Sequence, residues 1–174
     1  MGSKMDLKQH IRTVPDFPKQ GINFYDITTL LANPAAFQHA VEQLKSKVAG
    51  KQIDAIVAIE SRGFIFGAAL AHALGKSFVI VRKPGKLPYK KVSEEYNLEY
   101  GKDRLEIHED AIGRGQKVLI IDDVLATGGT ALAAAKLVEK LGGVVEAFAF
   151  LIELDKLGGR DKLNKYEVHS VLNY

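Results

Sequence analysis

Two adjacent carboxylates, Asp122 and Asp123, stand just ahead of a small-residue turn in "VLIIDDVLATGGT". The turn has the chemistry of an anion site. Gly128 and Gly129 permit positive φ and close backbone approach. The N–H groups of a turn that opens a helix point outward, with the helix dipole behind them, and Thr127 and Thr130 add hydroxyl donors. Ala126 to Thr130 therefore read as a phosphate cradle. It is not a Walker loop, because the lysine of that motif is missing. A plain strand-to-helix turn with a threonine cap would show the same Gly-Gly-Thr. The aspartates repel phosphate, so a ligand held by both parts must also offer donors to carboxylates, as a vicinal diol does. A ribose 5-phosphate carries both halves. The alternative is a capping Asp beside a solvated one.

Two more segments carry chemistry. In "ESRGF", Ser61-Arg62-Gly63 opens a helix, so its amides are anion donors, and Arg62 adds a permanently charged fork suited to phosphate. A second anion site beside the first points to a ligand with two phosphate groups; an exposed turn arginine is the plainer alternative. "RKPGKLPYKK" holds Arg82, Lys83, Lys86, Lys90 and Lys91 with no acid between them. It could fold over a polyanion as a lid. Lys90 and Lys91 read as solvated surface, while Arg82 and Lys83 sit nearest a strand end.

These segments need a frame that brings them together. "IDAIVAIE", "SFVIVR", "KVLIID" and "VVEAFAFLIE" are apolar strands, and "YEVHSVL" is a last one. Asn33-Pro34 reads as a helix start, with Phe37, Val41, Leu44 and Val48 on one face and Gly50 as the stop. "GFIFGAALAHALG" and "GTALAAAKLVEKLGG" are further helices, the second with Ala131, Ala134, Val138 and Leu141 on one face. Apolar strands alternating with helices give an α/β fold: an open, mainly parallel twisted sheet flanked by helices. Ligands of such sheets bind beyond the carboxyl ends of the strands. All three chemical segments directly follow strands, so they fall on one edge. "EEYNLEYGKDRLEIH" alternates and predicts a hairpin projecting from the sheet.

The 174 residues are 47% hydrophobic and 26% charged, which predicts one domain over 1–174. A net charge of +3 gives no ground for nucleic-acid binding. The chain has no cysteine, which removes disulfides, thiolate metal sites and a cysteine nucleophile. No secretory or membrane-spanning segment is read, so a soluble cytoplasmic protein is expected. Residues 1–4 precede a second Met and are given no role in the fold. The five histidines lack metal-ligand spacing.

Together these residues resemble the type I phosphoribosyltransferases. "VLIIDDVLATGGT" looks like that family's phosphoribosyl pyrophosphate motif. "PDFPKQGINFYDIT", "ESRGF", "VRKPGKLP" and "EYNLEYGKDRLEIH" look like its adenine-specific members, in order and spacing, from about Leu7 to the last strand. The resemblance implies the fold of that family, with an N-terminal base-binding hood over 7–33 and a flexible lid and hairpin over 83–108. It implies transfer of the 5-phosphoribosyl group from its pyrophosphate to adenine, giving AMP and pyrophosphate, with Mg²⁺ carried by the substrate and reached through water from Asp122 or Asp123. By resemblance, Ala126, Thr127, Gly128, Gly129 and Thr130 hold the 5-phosphate, and Asp122 and Asp123 hold the ribose hydroxyls. Glu60, Ser61 and Arg62 form the pyrophosphate loop, often with a cis non-proline peptide, and Arg82 and Lys83 contact pyrophosphate. Tyr100 belongs to the closing loop, and Glu99 is an acid near N7 of the base. Phe24 stacks on the base, opposite Val124 or Leu125, while Asn23 and Tyr25 read its edge. Phe24 as a plain core aromatic is the alternative, and Tyr25 stands where the family often carries a basic residue. A homodimer is implied as well. Two other readings stay open: transfer to a 6-oxopurine, and a non-catalytic ribose-phosphate sensor.

Overall fold

The computed structural model describes residues 5–98 and 101–174. The chain divides into two compact units, Met1–Gln43 and Leu44–Tyr174.

In the first unit, β1 (Arg12–Val14) pairs antiparallel with β2 (Phe24–Asp26). The loop between them is shaped by Asp16 at φ 56° and Gly21 at φ 83°. The Asp16 carboxylate accepts the Gly21 N–H at 2.6 Å, which closes the loop. After β2, Asp26 accepts the Thr28 N–H at 2.9 Å and so starts the short helix α1 (Thr28–Leu31), whose Leu30 is buried. Helix α2 (Pro34–Lys47) begins as expected, with Asn33 Oδ1 accepting the Ala36 N–H at 3.1 Å. Leu44 and, just past the helix end, Val48 are buried as expected, while in the first turns the buried positions are Ala36 and Ala40. Phe37 and Val41 flank these positions, half-buried. Small alanines permit close approach there, which a reading keyed to large apolar residues does not foresee.

The second unit is built on five parallel strands in the order β4-β3-β7-β8-β9: β3 (Ala55–Ile59), β4 (Ser77–Val81), β7 (Lys117–Leu125), β8 (Val144–Glu153) and β9 (Val168–Asn173). Helix α3 (Gly63–Leu74) connects β3 to β4, and α4 (Gly129–Lys140) connects β7 to β8. Every residue of β3 is buried, as suits a central strand covered on both faces. Gly75 in the left-handed region ends α3. Ala131, Ala134 and Val138 of α4 are buried as expected, while Leu141 lies beyond the helix end, half-buried. From β3 the chain moves outward to β4 and then returns to the other side of β3 as β7. The order therefore reverses between β3 and β7, and a ligand crevice opens at such a reversal.

The hairpin exists, as β5 (Lys91–Leu98) and β6 (Gly101–His108), but it does not stand free. Leu105 and Ile107 are fully buried in the core. Arg82 and Glu106 exchange backbone hydrogen bonds of 2.9 and 2.8 Å, which ties β6 to the end of β4. Glu94 of β5 pairs with Lys136 at 3.2 Å and Lys140 at 2.5 Å, which lays the hairpin on α4. Among the described residues, no helix is long and apolar enough to cross a membrane.

Candidate active site

The segments after β3 and β7 flank the point where strand order reverses, and the segment after β4 lies on the same edge. Strand β7 is longer than its apolar run. It runs on through Asp122 and Asp123 to Leu125, in register with β8 as far as the Leu125–Glu153 pair. The carboxylates are thus inside the ladder rather than just past it, and hydrogen bonding to β8 overrides the weak strand preference of aspartate.

The two acids are not equivalent. Asp123 is only 5% exposed, and its Oδ2 accepts from Arg62 Nε. Asp122 is half-buried, and its Oδ1 accepts the Asp123 N–H at 2.8 Å. Burial, and next to it the neighbouring Asp123 carboxylate, push the Asp122 carboxyl well above the ordinary range. Arg62 is 46% exposed yet bonded to a buried carboxylate, so it is more than a surface turn residue. That bond joins the segment after β3 to the segment after β7. Gly63 makes the approach possible, since a β-carbon there would sit 2.8 Å from Asp122 Oδ1.

The turn after β7 borders a cleft lined by Asp122, Val124, Phe150 and the residues from Leu125 to Ala131. Gly128 has φ 80° and precedes α4 without a side-chain cap. Among the described residues, the N–H groups of Thr127 through Ala131 meet no protein acceptor, and the hydroxyls of Thr127 and Thr130 have no partner. Backbone donors are left unpaired in folded proteins only where something else can satisfy them. Val124 is half-exposed, but Leu125 is 1% exposed and belongs to the core. Of the two residues expected to face the base, only the Val124 side chain is open.

The pyrophosphate-side residues are arranged as acid–base pairs. The Glu60–Ser61 peptide is cis. Ser61 is exposed. Glu60 turns its carboxylate onto Arg82 Nε at 3.2 Å and the Lys83 N–H at 2.8 Å, and Lys86 Nζ also reaches it. Burial works to raise the Glu60 carboxyl, but these donors outweigh it and hold it below the ordinary range. Lys83 Nζ reaches Tyr96 Oη at 2.7 Å and also Asp103, and Tyr96 donates to Asp103 at 2.9 Å. Burial opposes the charge on Lys83, yet Asp103 and Tyr96 raise its pKa overall. Tyr96 and Asp103 are cross-strand partners in the hairpin. The sequence gives no cue to them, because their meeting depends on hairpin register. Gly159 also approaches another backbone closely, and the Gly158-Gly159 pair is the signal in the sequence that could have found it.

In the first unit, Phe24 is half-buried and packs edge-on against Phe17 at 5.2 Å, so it is no sealed core aromatic. Tyr25 is half-buried, and Asn23 is exposed. Glu99 and Tyr100 lie outside the described residues, as do residues 1–4. Among the described residues, no three His, Asp or Glu side chains gather as a cation site.

A parallel sheet with a turn of unpaired amides, two acids and an arginine at its order reversal has the chemistry that a sugar phosphate would fit. The chain belongs to the phosphoribosyl transferase family: residues 26–173 match the phosphoribosyl transferase domain. It is 59% identical over 170 residues to the adenine phosphoribosyltransferase of Thermotoga neapolitana, covering 98% of this chain and 100% of that one. It is 57% identical over 171 residues to the adenine phosphoribosyltransferase of Acetivibrio thermocellus, with 98% and 100% covered. Among solved structures, the adenine phosphoribosyltransferase of Thermoanaerobacter pseudethanolicus aligns with a TM-score of 0.95 at 54% identity, over 97% of this chain and 98% of that one. The Saccharomyces cerevisiae enzyme, complexed with D-2,5-dideoxy-2,5-imino-altritol 1,6-bisphosphate and adenine, aligns at 0.90 with 45% identity, over 95% and 96%.

Proposed function

We propose that this chain transfers the 5-phosphoribosyl group from 5-phosphoribosyl 1-pyrophosphate to N9 of adenine, yielding AMP and pyrophosphate, as a purine-salvage step. The observation that carries this reading is the meeting of an unpaired N–H array with Asp122 and the Arg62–Asp123 pair where the strand order reverses. The relatives named as adenine phosphoribosyltransferases, matched over nearly the whole chain, support the choice of base.

The amides and hydroxyls of Ala126–Thr130 take the 5-phosphate, and Asp122, with Asp123, takes the ribose hydroxyls. Hydroxyl donors replace the solvation that Asp122 loses to burial and so favour its charged form. Arg62 exchanges Asp123 for pyrophosphate as the donor enters, and Arg82 and Lys83 exchange Glu60 and Asp103 in the same way. Positive charge develops on the sugar as pyrophosphate departs, and these cations stabilise the leaving charge. When bound, Mg²⁺ neutralises further charge on the polyphosphate; Asp122 and Asp123 are the carboxylates that would reach it through water. Phe24 stacks on the base, the main chain at Asn23 and Tyr25 reads its edge, and Glu99 accepts the proton of N7 from the bound N7–H tautomer as N9 bonds to the anomeric carbon and pyrophosphate leaves. Tyr100 closes over the donor. Holding base and sugar in line supplies much of the remaining acceleration.

The working form is a cytoplasmic homodimer. Edge strand β4 supports this, because it exposes Phe78 by 39% with Phe64 of α3 beside it at 6.4 Å.

Initial rates of pyrophosphate release with adenine, hypoxanthine, guanine and xanthine test the substrate. Turnover is expected with adenine alone, since the others carry a carbonyl at C6 where adenine carries an amine. Preference for any 6-oxopurine overturns the reading. Glu99→Ala is expected to lower kcat with adenine by about 10²–10³-fold; full turnover would remove Glu99 from the mechanism.

A further inference from the structure

A main-chain anion cradle works only if its backbone is held still, so what lies behind the turn matters as much as what it faces. Behind it is α5 (Gly159–Lys162), a single helical turn. A β-carbon on Gly159 would lie 2.3 Å from the Ala126 carbonyl oxygen and 2.9 Å from Leu125 Cδ1. One on Gly128 would lie 2.5 Å from the Gly159 carbonyl oxygen. The two backbones therefore rest on each other, and neither glycine has room for a side chain.

Four residues of helix do not hold themselves in place. The anchor is Arg160. Its Nε donates to Glu153 Oε1 at 2.8 Å and its Nη2 to Oε2 at 2.5 Å. Its Nη1 donates to the Val168 carbonyl at 2.8 Å, and Nη2 also reaches Ser170 Oγ at 3.3 Å. Ser170 Oγ in turn donates to Glu153. Glu153 is the last residue of β8 and is nearly sealed from solvent. Its fork-to-fork pair with Arg160 fixes both distance and angle. The next residue, Leu154, donates its N–H to the Leu125 carbonyl at 2.9 Å, so the end of β8 also holds the entry to the turn. None of Glu153, Gly159 and Arg160 lines the cleft.

We propose that Arg160 and Glu153 are positioning residues for the reaction: they clamp α5, and α5, through Gly159, holds the Ala126–Gly128 backbone in the shape that grips the 5-phosphoryl group. This rests on the reading of that turn as the 5-phosphate site.

The test is titration of ribose 5-phosphate and of pyrophosphate into wild-type protein, Arg160→Lys, Gly159→Ala and Thr130→Val. Each variant is measured at a temperature where its own melt shows it folded. Arg160→Lys keeps a charge opposite Glu153 while losing the fork. Arg160→Lys and Gly159→Ala are expected to weaken ribose 5-phosphate about tenfold, the equivalent of one good hydrogen bond, and to leave pyrophosphate affinity unchanged. In turnover, KM for the ribosyl donor rises and KM for adenine does not. Equal loss for both ligands would mean general loosening and overturns the proposal. So does wild-type affinity in both α5 variants while Thr130→Val binds weakly. If Thr130→Val also binds as wild type, the turn is not the 5-phosphate site and the inference falls with it.

Discussion

Asp122 is a residue that the free protein holds under protest. Its carboxyl is raised by burial and by Asp123. A carboxyl whose folded pKa lies above its unfolded value contributes stability that is complete below the unfolded pKa and is lost as pH rises through the folded one. As pH rises above the ordinary carboxyl value that contribution falls away, and the charge opposes folding. Asp122→Asn should therefore raise the melting temperature at pH 7, with the gain vanishing near pH 4, close to the ordinary carboxyl value of 3.8. It should also raise KM for the ribosyl donor about tenfold or more, because a charged acceptor is lost to the hydroxyls. Melts at both pH values and initial rates check this; a lower melting temperature at pH 7 contradicts it. Destabilisation kept for function is a common pattern at binding sites. Residues of this kind are legible in sequence. An acid pair before Gly-Gly-Thr signals its chemistry through local types alone. Tyr96, Asp103 and Arg160 are not legible, because each acquires its partner only through strand register or a tertiary contact. The burial of Leu125 is hidden for a related reason: strand alternation continues past the aspartates and turns its side chain into the core.

Among the elements, the hairpin departs most from expectation. Alternation in "EEYNLEYGKDRLEIH" predicts two strands, and β5 and β6 are there. A free projection is what such a sequence implies, yet Leu105 and Ile107 belong to the core and Glu94 fastens β5 to α4. Lys140 holds the Glu94 carboxyl below the ordinary range, and with Lys136 it outweighs the effect of burial. Stability from a depressed carboxyl is present above its unfolded pKa and lost as pH falls through the folded value. Both lysines are half-exposed, so screening keeps the pair's contribution to about 0.5–1 kcal/mol. Glu94→Ala should lower stability by about that amount at pH 7 and by less below pH 4.5, the ordinary glutamate value. It should also speed hydrogen exchange in 91–98 more than in the central sheet. Uniform exchange across both would show that Glu94 does not fasten the hairpin.

At the scale of the molecule, the alternation of apolar strands with helices made the parallel sheet readable, and with it the prediction that three loops share one edge. The strand order was not readable. Apolar content does not assign each strand its neighbours, which are chosen by packing and by the crossovers of the chain. That order is what sets the loops after β3 and β7 side by side. The proposed dimer is a prediction at this scale: light scattering should give twice 19.1 kDa, and Phe78→Glu should return the mass to that of one chain. A wild-type monomer that turns over normally would remove the dimer from the account.

A crystal structure of the protein with AMP tests the central claim most directly. The account predicts 5-phosphoryl oxygens within about 3 Å of the N–H groups of Thr127 to Thr130, with the ribose hydroxyls against Asp122. A nucleotide whose phosphoryl group lies elsewhere, with those amides still turned to water, would contradict it.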